Sequence, residues 1–405
     1  MNIVLYTNSF LPAVGGKEVV VHYLAREFRR MGHRVRVMGP SGWIKNHRYR
    51  FGYPVHRWPT LRGFLDETVA RWQLRLDVML FGADVIHAHN TYPCGYTAST
   101  IRGRKRVPMV VTPHGYDIHV IPEMGFGMRL DPEKARKIKL VLSDADFLTA
   151  ISGSIRRSLI DAGASEAKII DIPNGIDLER FRPKGDLQIK KRLGLSEQCR
   201  IILSVGNYHP RKGQELLVRS LPAILRRHPE AMLVIVGRNS NPLIKTIKDL
   251  DLTAKVRLTG SIPFRISDRK SHENGSDEGD VLAELYRACE VYVSASLDEG
   301  AEGLSLAMLD AMGSGKPVIA TDISGNRDLI HDHQNGLLMP PGDPAAISKA
   351  VSEVLDHPML QEKLGNNARM AAGRYSWQSV AKQYMAVYQC AANRYRRKDV
   401  NDALR

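Results

Sequence analysis

Cysteine is sparse in this chain of 405 residues: Cys94, Cys199, Cys289 and Cys390 stand far apart without paired spacing. That scatter excludes a disulfide framework and a Cys-x-x-Cys zinc site, and leaves the thiols as packing residues. Long hydrophobic runs are also missing. The first apolar run, Ile3 to Tyr6, is far too short for a signal peptide, and no stretch approaches the roughly 20 apolar residues of a membrane span, so a cytoplasmic protein is expected. No Gly-x-Gly-x-x-Gly follows the first strand, which argues against a nicotinamide-binding domain, and no repeat of solenoid length is present. Acidic residues are outnumbered, 43 Asp and Glu against 58 Lys and Arg, for a net charge of +15. The imbalance is mainly amino-terminal, with 17 basic against 7 acidic residues in 1–120. Such a surface asks for an anionic partner: nucleic acid, an anionic membrane or a phosphorylated substrate.

What is present is normal globular composition, 43% hydrophobic and 25% charged, in a chain long enough for two domains. Asn2 to Tyr6 reads as a buried strand, followed by a Gly15-Gly16 turn and a helix with Val20, Leu24, Phe28 and Met31 on one face. Arg34 to Met38 then closes a βαβ unit. The glycine pair is either a simple tight turn or a close approach to a ligand at the mouth of that unit. Between Trp43 and Trp58, Lys45, Arg48, Arg50 and Arg57 interleave with Tyr49, Phe51 and Tyr53. This pattern suits a lipid headgroup interface, or a strand and loop whose rings pack inward.

Asp84 to Ala88 forms a strand that places His87 and His89 on one face. They read as polar lining or as a metal pair, but no third ligand stands at a recognisable spacing. A further strand, Val107 to Thr112, leads into Pro113-His114-Gly115, and Val120 to Leu130 makes an apolar, glycine-containing lip. The triplet Asp144-Ala145-Asp146 precedes a strand, Phe147 to Ala150, and reads as a structural turn. Polar residues from Lys184 to Glu197 place the domain boundary near 185, giving domains 1–184 and 185–377, with an amphipathic helix over 378–395. In the second half, Ile201 to Val205 leads to Gly206-Asn207, then Arg211-Lys212-Gly213, which sets two cations after a strand. Residues 265–280 form a polar insert.

The chain is organised around Asp298 to Asp328. Glu290 to Ser296 reads as a strand and Pro317 to Thr321 as the next, with a helix carrying Leu304, Ala307, Met308, Ala311 and Met312 between them. The helix amino terminus, near Gly303, Leu304 and Ser305, would face the carboxyl end of the sheet, where free N–H groups attract a phosphate. Glu302 and Asp310 could accept hydroxyl hydrogen bonds at the same place. Carboxylates beside a phosphate cradle suggest a sugar nucleotide, although a strand, loop and helix of this kind also serves as packing alone.

These residues resemble group 1 glycosyltransferases, retaining enzymes with the two-Rossmann GT-B fold. Glu302 and Asp310 stand where that family carries two glutamates separated by seven residues, and Pro317 to Asp322 and Gly336 to Asp343 resemble its next blocks. Ile172 to Asp177, closed by Phe181 to Pro183, is similar to its hinge block. The resemblance implies an α/β protein of two Rossmann-like domains facing across a cleft, acceptor side first and donor side second, with the last helix crossing back to the first domain. It implies Gly16 at the donor phosphate, His114 beside the donor sugar, Arg211 and Lys212 at the diphosphate, Glu302 on sugar hydroxyls and Asp310 on the ribose. Gly303, Leu304 and Ser305 complete the donor site. Asn207 departs from the family's arginine; either Arg211 supplies the missing charge or the donor phosphate is held less tightly. Neither metal nor cofactor is implied. The expected activity is transfer from a UDP- or GDP-sugar to a saccharide or lipid-linked acceptor in cell-envelope polysaccharide or glycolipid synthesis, with an anionic membrane surface as a further partner and no nucleic acid. A nucleotide-sugar epimerase or phosphorylase-like enzyme of the same fold, and a non-catalytic basic binding module, are the alternatives.

Overall fold

The computed structural model describes residues 1–41, 51–59, 67–102, 107–183, 188–264, 279–298 and 303–403. The chain divides into two units, one formed by Met1–Asn174 with Trp377–Arg405 and the other by Gly175–Ser376.

In the first unit the strands β1 (Asn2–Thr7), β2 (Arg34–Ser41), β3 (Val55–Pro59), β4 (Val85–His89), β5 (Met109–Thr112), β6 (Phe147–Ala150) and β7 (Ile169–Asp171) form one sheet. Its order is β3-β2-β1-β4-β5-β6-β7, and every pairing is parallel. A parallel sheet is covered by helices on both faces, so its strands are apolar without alternation, as in the fully buried Ile3 to Leu5 and Met109 to Val111. The strand order reverses between β1 and β4, where ligands of such sheets bind outside the carboxyl ends. The register puts Thr7 beside His89, and His89 beside Thr112, on that edge.

The last helix, Trp377–Ala403, belongs to this unit. Trp377 stacks on Tyr23 with ring centroids 5.2 Å apart, and the Tyr388 hydroxyl lies 2.6 Å from His87 Nδ1. Of the stretch from Trp43 to Trp58, residues 42–50 lie outside the described residues. The described rings pack inward: Tyr53 is buried, its hydroxyl is 2.7 Å from His22 Nδ1, and Phe51 stacks on it at 5.5 Å. The aromatic surface of these two rings is thus used within the unit.

The second unit holds β8 (Arg200–Val205), β9 (Ala231–Val236), β10 (Val256–Gly260), β11 (Cys289–Ser294), β12 (Val318–Thr321) and β13 (Leu337–Met339). Their order is β10-β9-β8-β11-β12-β13, again parallel, with the reversal between β8 and β11. The unit begins upstream of the boundary expected at 185. Ile176 and Phe181 already sit in its core, and the Ile176 N–H donates to the Tyr375 carbonyl at 2.7 Å. Apolar anchoring by Ile176 and Phe181, rather than the polar run after them, marks where the second core starts. Among the described residues, no helix is long and apolar enough to cross a membrane.

Candidate functional site

At the carboxyl edge of the first sheet, β1 leads through a loop to Gly15, which caps the helix Gly16–Arg30 without a side-chain bond. Its first turn therefore keeps backbone donors for another acceptor. Lys17 is held there: its ammonium donates to Asn8 Oδ1, which also accepts from Asn90 Nδ2 at 3.2 Å. Asn90 itself has φ 102°, a conformation rare outside glycine, and it directly follows β4. Backbone strain of this kind gathers at functional sites. Sequence reasoning passed over Lys17, although a lysine immediately after a Gly-Gly helix start was the available signal.

Three histidines line the same edge. His87 is locked, Nε2 against the Thr112 hydroxyl at 2.6 Å and Nδ1 against Tyr388, so both nitrogens serve packing rather than a metal. His89 Nδ1 lies 3.1 Å from His114 Nε2. Burial lowers the pKa of all three: His87 falls to about 3, and His89 and His114 fall well below the usual value, with Lys17 and neighbouring histidines adding to the effect. They are neutral at pH 7. Asp117 fixes the His114 loop, accepting from the His114 N–H at 2.9 Å and the Thr91 N–H at 2.6 Å. Asp146 accepts from Met109 N–H at 2.8 Å and from Arg102 at 2.7 Å, which is the structural role expected of it.

In the second unit, the segment after β8 carries the cation pair. Gly213 has φ +61°, and a Cβ there would stand 1.9 Å from the Ala295 carbonyl oxygen, so this turn presses directly on the end of β11. Only glycine permits that approach. Lys212 is half-buried at the turn. Arg211 is not presented at the mouth as expected. It is 3% exposed and grips Asp298 through Nε at 3.0 Å and Nη2 at 2.7 Å, a bidentate pair that spends its charge inside the unit. Arg238, which sequence reasoning passed over, stands beside Asn207 instead: Asn207 Oδ1 accepts from the Arg238 N–H at 3.0 Å and from its Nε at 3.4 Å. No local pattern marked it, because the contact joins residues on different strand ends.

Ser305 caps the helix Leu306–Gly313 by accepting from the Met308 N–H at 3.4 Å, and Leu304 is buried in the core, so only its backbone can meet a ligand. Gly303 lies just before them; Glu302 lies outside the described residues. Asp310 is half-buried, and burial holds its carboxyl well above the usual range despite Arg180, with Asp177 and Asp280 reinforcing the shift. Of the polar insert, 265–278 also lie outside the described residues. Among the described residues, no group of His, Cys, Asp or Glu is placed to hold a metal ion.

Both halves of the chain match known families. Residues 14–180 fit the model of Glycosyltransferase Family 4, and residues 186–371 fit that of Glycosyl transferases group 1. A D-inositol 3-phosphate glycosyltransferase of Geodermatophilus obscurus is 30% identical over 317 residues, 76% of this chain and 67% of that protein. A GDP-mannose-dependent alpha-(1-6)-phosphatidylinositol monomannoside mannosyltransferase of Mycolicibacterium smegmatis is 28% identical over 93% of this chain and 95% of its own. Among solved structures, sucrose-phosphate synthase from Thermosynechococcus elongatus matches with a TM-score of 0.79 at 21% identity, over 96% of this chain and 98% of that one. With its two parallel sheets and these matches, the chain belongs to the group 1 glycosyltransferases of GT-B fold.

Proposed function

We propose that the protein transfers a sugar, with retention of configuration, from a UDP- or GDP-sugar to a saccharide or lipid-linked acceptor in cell-envelope polysaccharide or glycolipid synthesis. The observation that carries this reading is the Lys212 turn, seated on the end of β11 by Gly213 at the point where the strand order reverses. A cation fixed there suits a departing diphosphate. Lys212 and Arg238, with backbone donors near Gly303 and Ser305, hold the diphosphate of the donor, while Asn207 holds Arg238. Gly16 and Lys17 offer further donors at the first sheet's edge, and His114 hydrogen-bonds a sugar hydroxyl. Glu302 positions the sugar and Asp310 meets the ribose. The bond from the anomeric carbon to phosphate breaks, the acceptor oxygen bonds to that carbon on the same face, and the leaving diphosphate takes the acceptor proton. No metal or cofactor enters these steps.

The lipid side of the reading draws support from the names of the inositol and phosphatidylinositol relatives and from the helix Glu67–Phe81. That helix buries Ala70, Leu74, Val78 and Phe81 on one face. On the opposite face it exposes Val69, Trp72, Leu76, Met79 and Leu80, of which Trp72 is 68% and Leu80 72% exposed. Arg75 flanks this second apolar stripe in the basic unit. Apolar side chains beside a cation suit the boundary of an anionic bilayer, on which the protein sits as a peripheral enzyme.

The test is a thermal-shift screen against UDP, GDP, ADP and their sugars. One nucleotide should raise the melting temperature, and Lys212→Ala should abolish the rise. Folded protein that answers to none of them sinks the reading. Anomeric analysis of the product then decides retention, and turnover without an acceptor would point to the epimerase alternative.

A further inference from the structure

We propose that His89 is a positioning residue that donates from Nδ1 to His114 Nε2, fixing His114 as its Nδ1–H tautomer, so that His114 meets substrate as a hydrogen-bond donor and not as a base. The tautomer stands on the geometry of two rings that burial keeps neutral. Only the use made of the Nδ1 proton rests on the donor-sugar role given to His114 above.

The two nitrogens are 3.1 Å apart, with ring planes inclined by 26°. At that distance one nitrogen must carry the proton and the other must lack it, because two N–H groups would repel and two lone pairs would gain nothing. Each neutral imidazole has a single proton, so the assignment turns on the far side of each ring. His89 is fully buried, and its Nε2 has no hydrogen-bond partner among the described residues. A proton on that nitrogen would be an orphaned buried donor, which folded proteins almost never tolerate, whereas an unpaired acceptor is the commoner and cheaper defect.

His87, whose ring centroid is 4.1 Å from that of His89, cannot relieve such an orphan. Its two nitrogens are taken by the Thr112 and Tyr388 hydroxyls. The His89 proton therefore sits on Nδ1, and His114 Nε2 is the acceptor. His114 must then hold its own proton on Nδ1, the reverse of the Nε2–H form that free histidine side chains favour. Unlike His89, His114 is only half-buried, so the side of its ring away from His89 has access to a ligand. The backbone N–H of His114 is fixed by Asp117, which holds the loop while the ring is set by His89.

The experiment is a long-range ¹⁵N–¹H correlation spectrum of the full chain, histidine-labelled, at pH 7.5, with the His114 signals assigned by their loss in His114→Gln. The wild type should show His114 protonated on Nδ1; a proton on Nε2 overturns the proposal. His89→Asn keeps an amide N–H near the position of Nδ1 and should preserve the tautomer. His89→Leu should return His114 to the Nε2–H form and slow turnover roughly tenfold, the worth of one hydrogen bond, with no further loss in the His89→Leu/His114→Gln double variant. A switched tautomer with unchanged turnover overturns the donor role. If His89→Leu does not fold, the wild type and His89→Asn still decide. Failure of the transferase reading would show separately, as wild-type protein without transfer whose tautomer remains readable.

Discussion

Asn207 and Arg238 form a joined pair on neighbouring strand ends: the asparagine amide oxygen accepts both the main-chain N–H and the Nε of the arginine. The pair is braced from below. Gly206 and Gly237 touch so closely that a Cβ on Gly237, at φ +150°, would stand 2.0 Å from the Gly206 oxygen, and the Tyr208 N–H donates to the Arg238 carbonyl at 2.8 Å. An arginine held this way can replace one borne on residue 207 itself. Arg238→Ala should weaken UDP or GDP binding about tenfold, the size of one charge-assisted hydrogen bond. Calorimetric titration measures it, and an unchanged dissociation constant would remove Arg238 from the donor site.

Arg211 should behave as a stability residue. Removing it leaves Asp298 without its bidentate partner, at about 3 kcal/mol if the site behaves as a buried pair. Asp298 is 28% exposed on its side chain, which lets water recover part of that cost. Asp298→Ala, which leaves the more deeply buried Arg211 charge without this carboxylate, should therefore lower the unfolding midpoint more than Arg211→Ala does, and the double variant should be milder than the sum of the two. Additive losses would contradict the pairing.

Gly213→Ala tests the seat of Lys212. The added methyl collides with the Ala295 carbonyl and must adopt a left-handed backbone, which together cost on the order of 2–3 kcal/mol. Nucleotide-induced stabilisation should be lost even where the variant remains folded. A variant with normal thermal shifts would show that the turn does not need this approach.

The buried histidines give a pH dependence of definite sign. His87 has a folded pKa near 3 against 6.5 unfolded, so between those values the unfolded chain binds the proton and the native one does not. Stability from His87 is whole above pH 6.5 and falls by about 1.4 kcal/mol per pH unit below it. Asp117 and Asp310, raised by burial, act in the opposite direction. Comparing wild type with His87→Asn cancels them: urea midpoints at pH 7.5, 6.0 and 5.0 should show a shallower decline in the variant, and equal slopes would refute the assignment.

Much of the fold was legible because parallel strands are short, apolar and bounded by turns. Phe147–Ala150 falls where the pattern put it, and Asn2–Thr7 and Arg200–Val205 each differ from the expected bounds by one residue. The helix Glu67–Phe81 was not legible, since apolar residues occupy both its faces and no single stripe stands out. Site residues followed the same division. Gly16 opens the helix after β1, and His114 and Lys212 sit in the turns after β5 and β8, places that local spacing announces. The commitment of Arg211 to Asp298 and the placement of Arg238 by Asn207 depend on strands 87 and 31 residues apart in sequence, and nothing near either residue encodes the partner.

The helix Trp377–Ala403 carries a consequence for synthesis. Tyr388 completes the His87 contact, Tyr384 lies within 3.4 Å of the Thr149 hydroxyl, and Trp377 covers Tyr23. A chain emerging from the ribosome makes all seven strands of the first sheet long before it makes these three side chains, and the whole of the second unit is translated in the interval. The unit born first is thus finished last, and until then its histidine layer waits without the tyrosines that seal it.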